Sequence, residues 1–106
     1  MSSSVLVSLP LNIIDNLIPT EYALMSAYPN PFNPVTKITY ELPENTEIQI
    51  TVFDMSGTQI ATLINSFQIA GYHTISWNAS SYPSGVYLIR MESGDFTQTQ
   101  KVVLVK

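Results

Sequence analysis

The chain has 106 residues and no cysteine, which makes it one domain able to bury about two thirds of its unfolded surface without disulfides or thiolate metal sites. Four basic against eight acidic residues give a net charge of −4, and no Lys or Arg precedes Lys37, so a nucleic-acid partner or an anionic membrane lacks its electrostatic attraction. Only 11 % of residues are charged, against about a quarter in an ordinary domain, and uncharged polar residues make up the difference, as in extracellular β-domains.

Residues 1–20 read as an N-terminal extended segment or linker, with the folded domain expected over 21–106. Val5 to Ile14 is apolar, but no positive residue precedes it, Pro10 and Asn12 interrupt it, and no small-residue cleavage site follows before Asp15. It is also far short of the roughly 20 residues that span a bilayer. Neither a signal peptide nor membrane insertion is expected from it, and any export signal is expected upstream. Val5, Val7, Leu9, Leu11 and Ile13 alternate, which makes them candidates for a donor strand that pairs with the sheet of a neighbouring copy. Pro10 would confine such a strand to an edge or a break.

Pro29, Asn30, Pro31, Phe32, Asn33 and Pro34 form a proline-locked turn that opens the series of alternating strands. Prolines lack an N–H, so they end a strand and stiffen the crossover; Phe32 is expected in the core, with Asn30 and Asn33 satisfying local backbone. The alternative is a docking surface for a partner that binds extended proline segments.

Strict alternation follows. Ile38, Tyr40 and Leu42 share one face of a strand over 36–42, and Ile48, Ile50 and Val52 share one face over 47–53. One-sided burial of an antiparallel sheet produces this pattern. Asp54 and Gly57 occupy the first and fourth places of a β-turn, and a less regular return strand is expected over Gln59 to Ile64. Ala70-Gly71 breaks the chain before Tyr72 to Trp77, where His73, Ile75 and Trp77 lie on one side. After a loop over Ser80 to Gly85 come strands at Val86 to Glu92 and Phe96 to Val105, joined by a tight hairpin at Ser93-Gly94-Asp95. No helix is expected. About seven short strands separated by turns predict an all-β chain, an antiparallel β-sandwich of the immunoglobulin-like kind. Closure into a barrel is the less favoured alternative, since the prolines mark open edges.

No catalytic or metal-binding constellation emerges, and no cofactor is expected. His73 is the only histidine and has no partners at a zinc or catalytic-triad spacing, so it reads as a strand histidine packed near Trp77. Glu41, Glu44 and Glu47 crowd one turn. Loops this short wall off no cleft for glycoside hydrolysis and match no calcium loop, so solvated carboxylates are expected. Trp77 with Tyr72, Tyr82 and Tyr87 invites comparison with a sugar platform. Alternation puts Trp77 on the buried side and leaves Tyr82 as the better exposed candidate. Asn78-Ala79-Ser80 is a formal glycosylation sequon.

The motifs in order are Ile18 to Leu24, Tyr28 to Pro34, Val52 to Gly57, Ala70 to Trp77, Ser84-Gly85-Val86-Tyr87, and Lys101 to Lys106. Together they resemble the type A C-terminal sorting domain of the bacterial type IX secretion system, over residues 18 to 106. The middle portion is also similar to the immunoglobulin-like module of flagellar hook-capping proteins. The sorting-domain resemblance implies a non-enzymatic export address. Its cargo crosses the periplasm, is recognised at the outer-membrane translocon, and is often clipped by a sortase that attaches it to the cell surface. It further implies that Gly85, Tyr87, Lys101, Val103, Leu104 and Lys106 carry recognition. A terminal strand suits that task if its outer edge is open to backbone pairing, while the lysines supply point charges. On pattern alone, Lys101 and Lys106 are better explained as keeping an edge strand soluble, and only the resemblance sets recognition beside that reading. The alternative function is a stand-alone secreted subunit that forms filaments by strand donation from residues 5–13.

Overall fold

The computed structural model describes residues 18–106; the candidate donor strand, Val5 to Ile13, lies outside the described residues. Seven strands form two sheets: β1 (Ala23–Leu24), β2 (Val35–Leu42), β3 (Thr46–Asp54), β4 (Gln59–Gln68), β5 (Gly71–Asn78), β6 (Gly85–Ser93) and β7 (Phe96–Leu104). One sheet has the order β1-β2-β5 and the other β4-β3-β6-β7, with every ladder antiparallel. This is the immunoglobulin-like sandwich the alternation predicts. Among the described residues no helix is long and apolar enough to cross a membrane.

The alternating residues do what their period requires. Ile38, Tyr40 and Leu42 on β2 face Ile48, Ile50 and Val52 on β3, and all six are buried. From β6 and β7, Ile89, Met91, Val102 and Leu104 complete the same core. Trp77 closes one end of it, tilted against Phe32 at 5.5 Å and edge-on to Tyr87 at 5.4 Å between ring centroids. Such offset and edge-to-face contacts are the arrangements aromatic quadrupoles favour.

Three local expectations change. The return strand β4 runs to Gln68, four residues beyond Ile64, because its ladder with β3 continues to the Thr46–Gln68 pair. Register shifts between Ile50 and Thr51 and between Val52 and Phe53 break the alternation that would have announced it. Tyr82 is not an exposed platform. Its hydroxyl donates to the Ile60 carbonyl at 2.9 Å and its ring packs on Trp77 at 5.7 Å. His73 stacks on Tyr40 at 5.1 Å rather than on Trp77, and its Nε2 lies 2.8 Å from the Ile69 carbonyl oxygen.

Candidate recognition site

The hairpin turns and strand directions give the sandwich two unlike ends. The Pro43–Asn45 and Gly94-Asp95 turns lie at one end, which gathers Glu41, Glu44, Glu47, Glu92 and Asp95. At the other end lie the Asp54 turn, the β5–β6 loop, the proline run and the end of β7, with Lys37, Lys101 and Lys106. Arg90, the fourth cation, pairs with Glu92 at 3.7 Å and lies 4.4 Å over the Phe53 ring. The C-terminal end is therefore the cationic pole of an acidic chain.

At this pole the proline run performs a task its sequence did not disclose. Asn30 does not satisfy local backbone. Its Nδ2 donates to the Lys101 carbonyl at 3.1 Å, and its Oδ1 accepts from the Val103 amide at 2.9 Å. Phe32 continues the pairing in the main chain, donating to the Val103 carbonyl at 2.9 Å and accepting from the Val105 amide at 3.0 Å. Together they form a parallel bridge to Leu104 that substitutes for a neighbouring strand. Pro29 and Pro34 anchor the run elsewhere, the first accepting from Thr36 Oγ1 at 2.7 Å and the second from the Ala79 amide at 2.8 Å. Pro31 and Asn33 face solvent.

Further up β7, two glutamines bridge the sheets. Gln98 accepts from the Leu24 amide at 3.2 Å and donates to the Leu24 carbonyl at 2.9 Å. Gln100 accepts from the Ala27 amide at 2.9 Å and donates to the Met25 carbonyl at 2.6 Å. An amide side chain carries one donor group and one acceptor, so each glutamine mimics a peptide unit of a missing strand. Nothing in their local sequence marks them, because their partners lie more than seventy residues earlier. The edge of β7 from Lys101 to Val105 is thus closed by the chain's own residues, which corrects the expectation of an open edge there.

The six residues expected to carry recognition separate accordingly. Tyr87 and Leu104 are in the core, and the Tyr87 hydroxyl donates to the Pro83 carbonyl at 2.6 Å. Burial raises the Tyr87 phenol above its ordinary pKa, with smaller contributions from Asp54 and Tyr82. Both side chains shape the site from beneath and offer nothing to a partner. Gly85 opens β6 opposite Leu104. Lys101 is exposed and Val103 half-buried on the outer face of β7, registered against Leu88 and Val86. Lys106 is pinned to the β5–β6 loop, its Nζ donating to the Ser80 carbonyl at 2.6 Å and its amide to Ser84 Oγ at 2.9 Å.

The Asp54 turn borders the same pole. Asp54 Oδ1 accepts from the Ser56 hydroxyl at 2.6 Å and from the Ser56 and Thr58 amides, each at 3.0 Å. The Ser56 hydroxyl bond, followed by the Thr58 amide, holds this carboxyl below its usual range. Gly57 takes φ +90°, a conformation that side chains with a Cβ rarely adopt. Among the described residues, no group of three or more His, Cys, Asp or Glu is placed to hold a metal ion.

A family model described as "Secretion system C-terminal sorting domain" matches residues 26–106, from the proline run to the last lysine. No curated protein matches the chain. A sorting-signal family is not catalytic, and its place in type IX secretion implies interaction with the secretion system and a secreted or cell-surface protein. The sandwich, the order of its motifs and the match over most of its length lead to one conclusion: the chain belongs to the secretion system C-terminal sorting domain family.

Proposed function

We propose that the outer face of the cationic pole is what the outer-membrane translocon reads, with Lys101 and Val103 as the contact residues and Gly85 and Lys106 framing them. One observation carries this reading. The backbone edge beside Lys101 to Val105 is already paired to Asn30 and Phe32, so a partner meets side chains there and not open amides. Lys101 stands exposed beside Leu88 and half-buried Val103, an arrangement that combines a charge with apolar contact area. A sortase that later clips the domain and attaches its cargo to the surface belongs to the same reading.

The test is a periplasmic reporter carrying residues 18–106 in a bacterium that has this export system. Export to the medium or surface is expected, and Lys101→Glu with Val103→Thr, which keeps the β-branched shape, should trap the reporter while leaving its thermal unfolding little changed. Normal export of that double variant would defeat the assignment of the site.

A second reading is favoured by the lack of charge on the opposite flank of the sandwich. In it, copies of the chain also assemble with one another through Val5, Val7, Leu9, Leu11 and Ile13. Electron microscopy of concentrated protein addresses it, and discrete monomers throughout would count against it.

A further inference from the structure

The two flanks of the sandwich differ in how they end. On the β1/β7 flank the inner residues Leu24, Ala27, Val102 and Leu104 are all 4 % exposed or less. On the β4/β5 flank, Ile60 and Ile64 of β4 and Ile75 of β5 pack against the core yet stay only half-buried. β4 pairs with β3 alone, so the outer side of this ten-residue strand has no partner strand among the described residues.

Edge strands of this length are ordinarily blunted by lysine, proline or an inward charge. Here none is used. No Asp, Glu, Lys or Arg occurs between Asp54 and Arg90, so both strands bordering this flank are uncharged. Phe67 and Ile69, at the end of β4 and just past it, are 57 % and 66 % exposed. A partner that pairs here must itself be extended and uncharged, and must bring apolar side chains on one face.

Residues 5–14 of this chain meet each requirement. They number ten, as β4 does, and Met1 to Ile14 contains no charged side chain. Val5, Val7, Leu9, Leu11 and Ile13 would lie on one face of an extended strand. Lateral amide direction alternates with the same period. When the odd-numbered residues present their amides to β4, Pro10 falls among those turned outward, where a missing N–H costs nothing.

Tyr22 stacks on Phe96 of β7 at 5.3 Å, so the chain enters the fold on the flank away from β4. Only Asp15, Asn16 and Leu17 join the segment to Ile18, a reach of roughly 10–14 Å. Passing β2 and β5 to reach β4 takes about 10 Å within one sheet and about 10 Å more between sheets. A neighbouring molecule is under no such constraint.

We propose that the outer edge of β4 over residues 64–68 accepts an extended stretch from residues 5–14 of a second copy, which extends the four-stranded sheet and covers Ile64 and Ile75. This deepens the self-assembly reading and rests on it. The test combines sedimentation velocity over a concentration series with amide hydrogen exchange on the full chain. Assembly should slow exchange by about tenfold or more at outward-facing amides of residues 64–68 while leaving β7 unchanged. Leu9→Lys, outside the described fold, should abolish assembly, and a synthetic peptide of residues 4–14 should dissociate the assemblies and itself protect β4. Ser66→Lys, on an exposed β4 position, should weaken both effects.

Assembly with β4 unprotected would overturn the acceptor while sparing self-assembly. A monomer at every concentration would overturn both. Protection of β4 in a monomer would show the segment closing on its own molecule and overturn the exchange between copies. None of these outcomes depends on the reporter assay for sorting.

Discussion

The β1/β7 flank and the β4/β5 flank belong to one sandwich, yet they solve the edge-strand problem in opposite ways. The first is sewn shut by side chains: Asn30, Gln98 and Gln100 satisfy backbone groups across the gap, and Phe32 adds a short main-chain bridge. The second is left with its amides unpaired by a neighbour and its inner isoleucines half covered. The difference teaches that strand order alone does not tell which edge of a sheet is open. β4 and β7 are both terminal strands of their sheet, and among the described residues only β4 keeps a regular stretch, residues 64–68, with nothing paired along its outer edge.

Truncating a core residue on each flank should expose this difference most. Leu104→Ala removes a side chain that is 1 % exposed, and a loss of about 2–5 kcal/mol is expected by urea unfolding. Ile64→Ala on the other flank should cost less than about 2 kcal/mol, since that side chain is only partly removed from water. Equal losses would break the comparison.

Asn30→Ala is next in size. It strands the Lys101 carbonyl and the Val103 amide, and about 1–3 kcal/mol of stability should go with them. Faster hydrogen exchange at Val103 would locate the effect. Asn30→Asp keeps the acceptor for Val103 but loses the donor to Lys101, so it should fall between. Gln100→Ala, one of whose two partners, Met25, lies at the surface, should cost about 0.5–1.5 kcal/mol in the same unfolding experiment.

The smallest effect concerns the turn joining β3 to β4. The folded Asp54 carboxyl titrates below its ordinary value, so its contribution is present above that value and is lost as pH falls through the lowered one. Asp54→Asn should therefore lower the neutral plateau slightly and, with the contribution gone at every pH, flatten the acid limb of the stability profile below about pH 4.

Much of this architecture is legible from residues alone. Ile48, Ile50 and Val52 declare their face through strict alternation, and Asp54 with Gly57 declares a turn, because in both cases the physical partners are a few residues away. Asn30 is different. Its local setting among prolines points to nearby backbone, whereas its partners are 71 and 73 residues distant and carry no mark of the pairing. Gln98 and Gln100 look like ordinary solvent-facing residues for the same reason. Tyr82 reads as exposed because loops usually are, and only the position of Ile60 and Trp77 turns it inward. The residues proposed for recognition are grouped by resemblance alone. Their division into buried Tyr87 and Leu104 and surface Lys101 and Val103 required the register of β6 on β7.

The clasp between the proline run and β7 has a consequence for biosynthesis. Within the domain, Asn30 leaves the ribosome long before Val103, so the clasp waits for the last strand to be made. A product cut short before β7 would leave Asn30, Phe32, Leu24 and Ala27 without their partners and Trp77 beside an unfinished core. A chain that stops before β7 therefore lacks Val102 and Leu104 as well as the clasp, and its sandwich cannot close.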